Sequence, residues 1–174
     1  MRLEEKRLSS REIFKGKIVE LRVDQVELPN GKEAVREVVG HPGGVAVLPY
    51  HDDGTVTLVR QFRYPFGRAV DEVPAGKLEP GEDHRLAGER ELSEETGLSA
   101  GSLTYLGALL LSPGYADGYL ARDLTQGERH PDEDEFLELR RAPFDELVAQ
   151  AMDGTLQDAK TVAGILKTKV LLER

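Results

Sequence analysis

Apolar and polar residues alternate through segment 17–28, around Ile18, Val23, Val26 and Leu28. A period near two predicts a half-buried strand. Pro29, Asn30, Gly31 and Lys32 then form a turn signal, and residues 33–40 return as a second strand. Residues 1–40 therefore read as a small antiparallel β unit. It holds few bulky apolar residues, so it is expected to pack against a partner, with a second copy of the chain as the first choice. Folding back on its own domain is the alternative.

The pattern changes after residue 40. Segments 43–49 and 55–62 carry the continuous apolar runs 45–48 and 56–59, joined through His51, Asp52, Asp53 and Gly54. Such runs predict strands buried on both faces. Segment 70–74 leads into a stretch rich in glycine and glutamate. Further strands are expected at 103–111, 119–123 and 136–140. Segment 143–153 reads as a helix with Pro143 in its first turn and Gly154 beyond its end. Asp158 can cap a last amphipathic helix carrying Val162, Ile165, Leu166 and Val170. Strands with helices between and after them predict an α/β (α+β) fold: residues 41–174 as one mixed sheet covered on both faces, preceded by the 1–40 unit.

The stretch 76–98 carries the candidate chemistry. Pro80 and Gly81 signal a turn, Glu82 or Asp83 can cap the helix that follows, and Gly97 can stop it. At about 100° per residue, Glu91 and Glu95 fall about 40° apart with Glu94 beside them. Ala87 and Gly88 lie on the same arc one turn earlier, so this face is expected to pack closely. Clustered carboxylates repel unless a positive charge sits among them, and hard divalent cations prefer such oxygen ligands.

Gly76, Glu82, Arg90, Glu91, Leu92, Glu94, Glu95, Gly97 and Leu98 fill every fixed position of the pattern Gly-x5-Glu-x7-Arg-Glu-U-x-Glu-Glu-x-Gly-U, where U is bulky and apolar. The chain thereby resembles the Nudix hydrolases. The resemblance implies an α/β/α sandwich and hydrolysis of a diphosphate linkage with Mg²⁺; Mn²⁺ and Zn²⁺ stay open as substitutes. It implies metal ligation by Glu91, Glu95, Glu94 and the carbonyl of Ala75. Glu82, paired with Arg90, would brace the loop, although a simple helix cap is an equal reading. Gly76 would give the loop its tight path. The general base is expected on a loop outside the motif, at Glu133 or next Glu135.

Three features outside the motif resemble the ADP-ribose pyrophosphatase branch: Ser112-Pro113-Gly114-Tyr115 downstream, the 59–65 segment VRQFRYP, and Glu72-Val73-Pro74-Ala75-Gly76. They imply substrate contacts at Arg63, Tyr64, Glu72, Pro113 and Gly114. Arg36, like Arg63, could bind phosphate oxygens, and Tyr64 or Phe14 could stack on the base. The N-terminal strands also resemble the dimerisation part of these enzymes and imply a homodimer. The leading expectation is hydrolysis of ADP-ribose to AMP and ribose 5-phosphate. Other nucleotide sugars, ADP-glucose and GDP-mannose among them, and a non-catalytic ADP-ribose sensor are the alternatives. The branch usually has a longer loop after the position of Asp117. Here Gly118 runs directly into Tyr119-Leu120-Ala121.

Composition narrows the partners. The 174 residues carry a formal net charge of −9 and no cysteine. The acidic balance, without a basic stripe, argues against a general nucleic-acid binder. There is no disulfide framework or thiol chemistry. Segment 1–7 lacks the apolar core of a signal peptide, and no apolar run approaches the roughly 20 residues of a membrane span. A cytoplasmic protein without membrane or nucleic-acid partners is expected.

Overall fold

The structure, a computed structural model, describes residues 3–110, 115–132 and 135–173. The chain forms two compact units that part between Gly43 and Gly44.

The first unit is an antiparallel sheet of β1 (Lys6–Lys15), β2 (Glu20–Glu27) and β3 (Glu33–Gly40), with β2 in the centre. The expected hairpin at Pro29–Lys32 joins β2 to β3. The ten-residue β1 has no clear apolar alternation, and every one of its side chains is exposed. Its order comes from the ladder along β2, whose Asp24 accepts a hydrogen bond from Ser10 Oγ at 2.5 Å.

The second unit holds two sheets. One has the order β7 (Ala75–Lys77), β4 (Gly44–Pro49), β9 (Tyr115–Gln126), β8 (Leu98–Leu110). The other has β10 (Glu138–Pro143), β5 (Thr55–Arg63), β6 (Arg68–Glu72). β4 runs parallel to β9 and antiparallel to β7, so the first sheet is mixed.

β4 explains the layering. Val45 and Val47 enter a core cluster with Ala87 and Leu92 of α1 (His84–Thr96). Ala46 and Leu48 enter another with Phe144 and Leu147 of α2 (Phe144–Asp153) and Ile165 of α3 (Ala159–Leu172). Successive side chains of a strand point to opposite faces, so a continuously apolar strand is what two covering helical layers require. The α/β/α sandwich follows from that run.

Some boundaries differ from the sequence reading. The strand expected at 103–111 begins at Leu98, directly after α1, and that expected at 136–140 lies at Glu138–Pro143. Pro143 caps α2 from outside its first turn. The strand expected from Tyr119 already contains Asp117 and Gly118: β9 pairs from Ala116 onward with β4. The stretch read as a shortened loop after Asp117 is thus sheet. Gly118 obscured this, because glycine is a turn signal unless a neighbouring backbone approaches closely. No helix among the described residues is long and apolar enough to cross a membrane.

Candidate active site

α1 is fixed at both ends. Asp83, not Glu82, is the N-cap, and its side chain accepts from the amides of Arg85 and Leu86 at 2.9 and 3.1 Å. Gly97 ends the helix at φ 72°, a left-handed conformation that favours glycine. Its carbonyl and that of Glu94 accept from the amides of Gly127 and His130, which ties segment 127–130 to this end of α1.

The inward face of α1 presses on the sheet. A β-carbon at Gly88 would meet Val47 at 3.2 Å, and one at Gly76 would lie 1.9 Å from a Glu91 carboxylate oxygen. The absent side chain of Gly76 therefore makes the space that Glu91 fills.

Three of the predicted carboxylates line this edge, and their surroundings differ. Glu95 is 1% exposed; Oε2 accepts from the Ala75 amide at 3.0 Å, while Oε1 is buried with no hydrogen-bond partner among the described residues. Burial, reinforced by repulsion from Glu135 and Glu91, pushes the Glu95 carboxyl up to about 8, against the Ala75 hydrogen bond and the Arg63 charge. Glu91, 7% exposed, is also raised, chiefly by burial and further by Glu94 and Glu135, with Arg90 opposing.

Arg90 organises the motif. Its Nη1 donates to Glu91 at 2.8 Å and Glu94 at 2.9 Å, while Nε and Nη2 form a fork on Glu82 at 2.9 and 3.1 Å. Glu82 also accepts from the Glu79 amide at 3.0 Å. Glu82 is thus the brace between turn, arginine and helix, and of the two sequence readings the Arg90 pairing is the one observed.

These residues fit a divalent cation. A buried carboxylate oxygen without a donor is costly, and two raised carboxylates side by side are those a cation would stabilise most. Among the described residues no three acidic or imidazole side chains already converge as a cage. Arg90 supplies the positive charge between Glu91 and Glu94 instead.

Next to this edge, Glu72 at the end of β6 is 2% exposed. Arg63 at the end of β5 grips it with Nε and Nη2 at 2.7 and 2.8 Å, and Lys160 of α3 bonds it as well. Burial opposes its charge, yet the two cations outweigh burial and hold Glu72 below the usual carboxylate range. Arg63 and Glu95 feel each other's charge, so both pairs belong to one site.

The other predicted residues fall as follows. Glu135 acts electrostatically on both Glu91 and Glu95. Tyr64 opens a short 3₁₀ turn and is 88% exposed, so its ring is not part of the core. Arg36 lies on β3 in the first unit, where it forks onto Glu5 at 2.9 and 2.6 Å, and Phe14 is exposed on β1. Pro113, Gly114 and Glu133 lie outside the described residues.

The sequence reading missed two groups. Lys160 was hidden within an expected helix, although Asp158 and Thr161 beside it are cap-type residues. Asp117, 5% exposed, accepts from the Tyr105 hydroxyl at 2.7 Å and pairs with His84 in the first turn of α1. Reading Asp117 as loop concealed that contact.

Residues 40–164 match the NUDIX domain, and residues 5–39 the nucleoside diphosphate sugar hydrolase N-terminal domain. The chain is 44% identical over 169 residues to an ADP-ribose pyrophosphatase of Bacillus subtilis (strain 168), spanning 94% of this chain and 91% of the relative. It is 41% identical over 168 residues to a methanol dehydrogenase activator of Bacillus methanolicus, spanning 93% and 91%. The crystal structure of an ADP compounds hydrolase superposes with a TM-score of 0.87 over 99% of this chain and 97% of that one; at 23% identity this likeness speaks for the fold.

Proposed function

The chain belongs to the Nudix hydrolase family, and from that membership we propose that it is a Mg²⁺-dependent ADP-ribose pyrophosphatase, releasing AMP and ribose 5-phosphate. The observation that carries the reading is the state of Glu95: buried, held by the Ala75 amide through one oxygen, and with the other oxygen free to ligate. The substrate follows the activity named for the Bacillus subtilis relative, whose similarity spans nearly the whole of both chains.

Glu91, Glu95, Glu94 and the Ala75 carbonyl are assigned to hold the metal. When bound, it would neutralise the diphosphate and make a water more acidic. The chain's own residues do the rest. Ala75 orients Glu95, and Gly76 leaves room for Glu91. Arg90, anchored on Glu82, keeps Glu91 and Glu94 apart from each other's full charge. Arg63, oriented by Glu72 through Nε and Nη2, is assigned to a phosphate oxygen. Glu135 stands near the ligating carboxylates and is the described candidate to take the proton from the attacking water, with Glu133 as the other.

The same reading includes a homodimer through the N-terminal sheet, where Leu8, Ile13, Phe14, Val35 and Val39 are exposed. It includes a cytoplasmic setting, with which a chain lacking cysteine is compatible.

The test is a product assay on ADP-ribose with Mg²⁺ in H₂¹⁸O. AMP and ribose 5-phosphate are expected, and the label identifies the attacked phosphorus. Comparison of kcat/KM for ADP-ribose, ADP-glucose and GDP-mannose tests the substrate, and a strong preference for GDP-mannose overturns the assignment. Glu91→Gln and Glu95→Gln should each remove at least about 4 kcal/mol of transition-state stabilisation, a factor on the order of a thousand in rate, with an unchanged circular dichroism spectrum. Undiminished turnover in both variants contradicts the metal site.

A further inference from the structure

The first turn of α3 meets the candidate site at two consecutive residues of the β6 exit. Lys160 Nζ bonds Glu72 with its charge, and Thr161 Oγ1 accepts from the Val73 amide at 2.9 Å. Both grips rest on one residue. Asp158 caps α3 by accepting from the Thr161 amide at 2.9 Å and the Thr161 hydroxyl at 2.5 Å, and its other oxygen accepts from Lys160 at 2.8 Å. Two residues beyond Val73, the Ala75 amide holds Glu95.

Lys160 also fixes the orientation of Glu72. Glu72 is almost wholly out of water, and a buried carboxylate needs full pairing. Lys160 supplies a second cation on the same carboxylate, on the oxygen Oε2 that also receives Arg63 Nη2. Glu72 is then shared, and its orientation is fixed from both sides.

We propose that Lys160 is a positioning residue that, through Glu72, aims Arg63 at the diphosphate of the substrate. The inference rests on the assignment of Arg63 to phosphate made above. It gives α3, distant in sequence from the glutamate motif, a part in substrate binding.

Lys160→Met is the first variant. Its KM for ADP-ribose should rise about tenfold while kcat changes by less than about threefold, since uniform binding is what is lost. The Arg63 Nε–H resonance in a ¹⁵N spectrum should shift. A second variant exploits the absence of cysteine from the chain. Lys160→Cys can be alkylated with 2-bromoethylamine at that one position, which restores an ammonium of lysine length. The KM should rise in the unmodified variant and return after alkylation, with thermal midpoints recorded for every form. A merely structural lysine would lower the midpoint and leave KM in place. An unchanged KM in Lys160→Met, or a raised KM that alkylation does not reverse, overturns the proposal. If the wild-type protein cleaves no nucleotide sugar, the functional reading fails separately. The Arg63 resonance then decides: a shift in Lys160→Met that alkylation of the Lys160→Cys protein reverses upholds the positioning of Arg63, and an unmoved resonance refutes it.

Discussion

Glu95 is where burial and chemistry oppose each other. Its surroundings hold the carboxyl at about 8, far above the range of an unfolded chain near 4.5. Between those values the folded state keeps a proton that the unfolded state has released. Stability of the metal-free protein should therefore fall as pH rises from about 4.5 to about 8, by at most about 1.4 kcal/mol per pH unit from this group. Glu95→Gln removes that dependence. Its thermal midpoint without metal at pH 9 should exceed that of the wild type by on the order of 10 °C, and the two should converge toward pH 5. Scanning calorimetry across this range in the presence of a chelator measures it. A divalent cation should act in the opposite sense on the wild type, raising its midpoint most where Glu95 must ionise.

At the scale of elements, the site depends on how closely α1 approaches β7. Gly76 is the point of contact, and a methyl group there would fall within the Glu91 carboxylate. Gly76→Ala should leave α1 folded, because its caps at Asp83 and Gly97 are untouched. It should displace Glu91 and lower kcat by about a hundredfold or more, as small misplacements of positioned groups do. A variant of near wild-type kcat would show that Glu91 has slack. The motif was legible because its spacing is local: residues three or four apart on a helix share a face whatever surrounds them. The elements less well bounded in the sequence were β8, β9 and β1. β9 owes its extent to its ladder with the distant β4, and β8 lies beside β9 at the sheet edge. β1 is held by pairing alone and buries nothing of its own.

For the whole molecule, the N-terminal sheet poses the question of assembly. A sheet of three strands with Leu8, Ile13, Phe14, Val35 and Val39 exposed presents apolar surface that water disfavours. Sedimentation equilibrium should find twice the chain mass. Ile13→Glu places a charge on that surface and should shift the protein toward a monomer at low micromolar concentration, whereas a monomeric wild type refutes the dimer.

Taken alone, the sequence determined the composition of the acid-lined helix face, the covered strands at 45–48 and 56–59, and the family. These rest on local period and on fixed spacing, which survive without knowledge of the fold. Tertiary structure decided which carboxylate is buried and short of a partner, that Arg90 bridges Glu82 to Glu91 and Glu94, that Asp117 belongs to a strand, and that Lys160 reaches Glu72. Each is a meeting of groups or a loss of water set by packing, and neither appears in the order of residues along a chain.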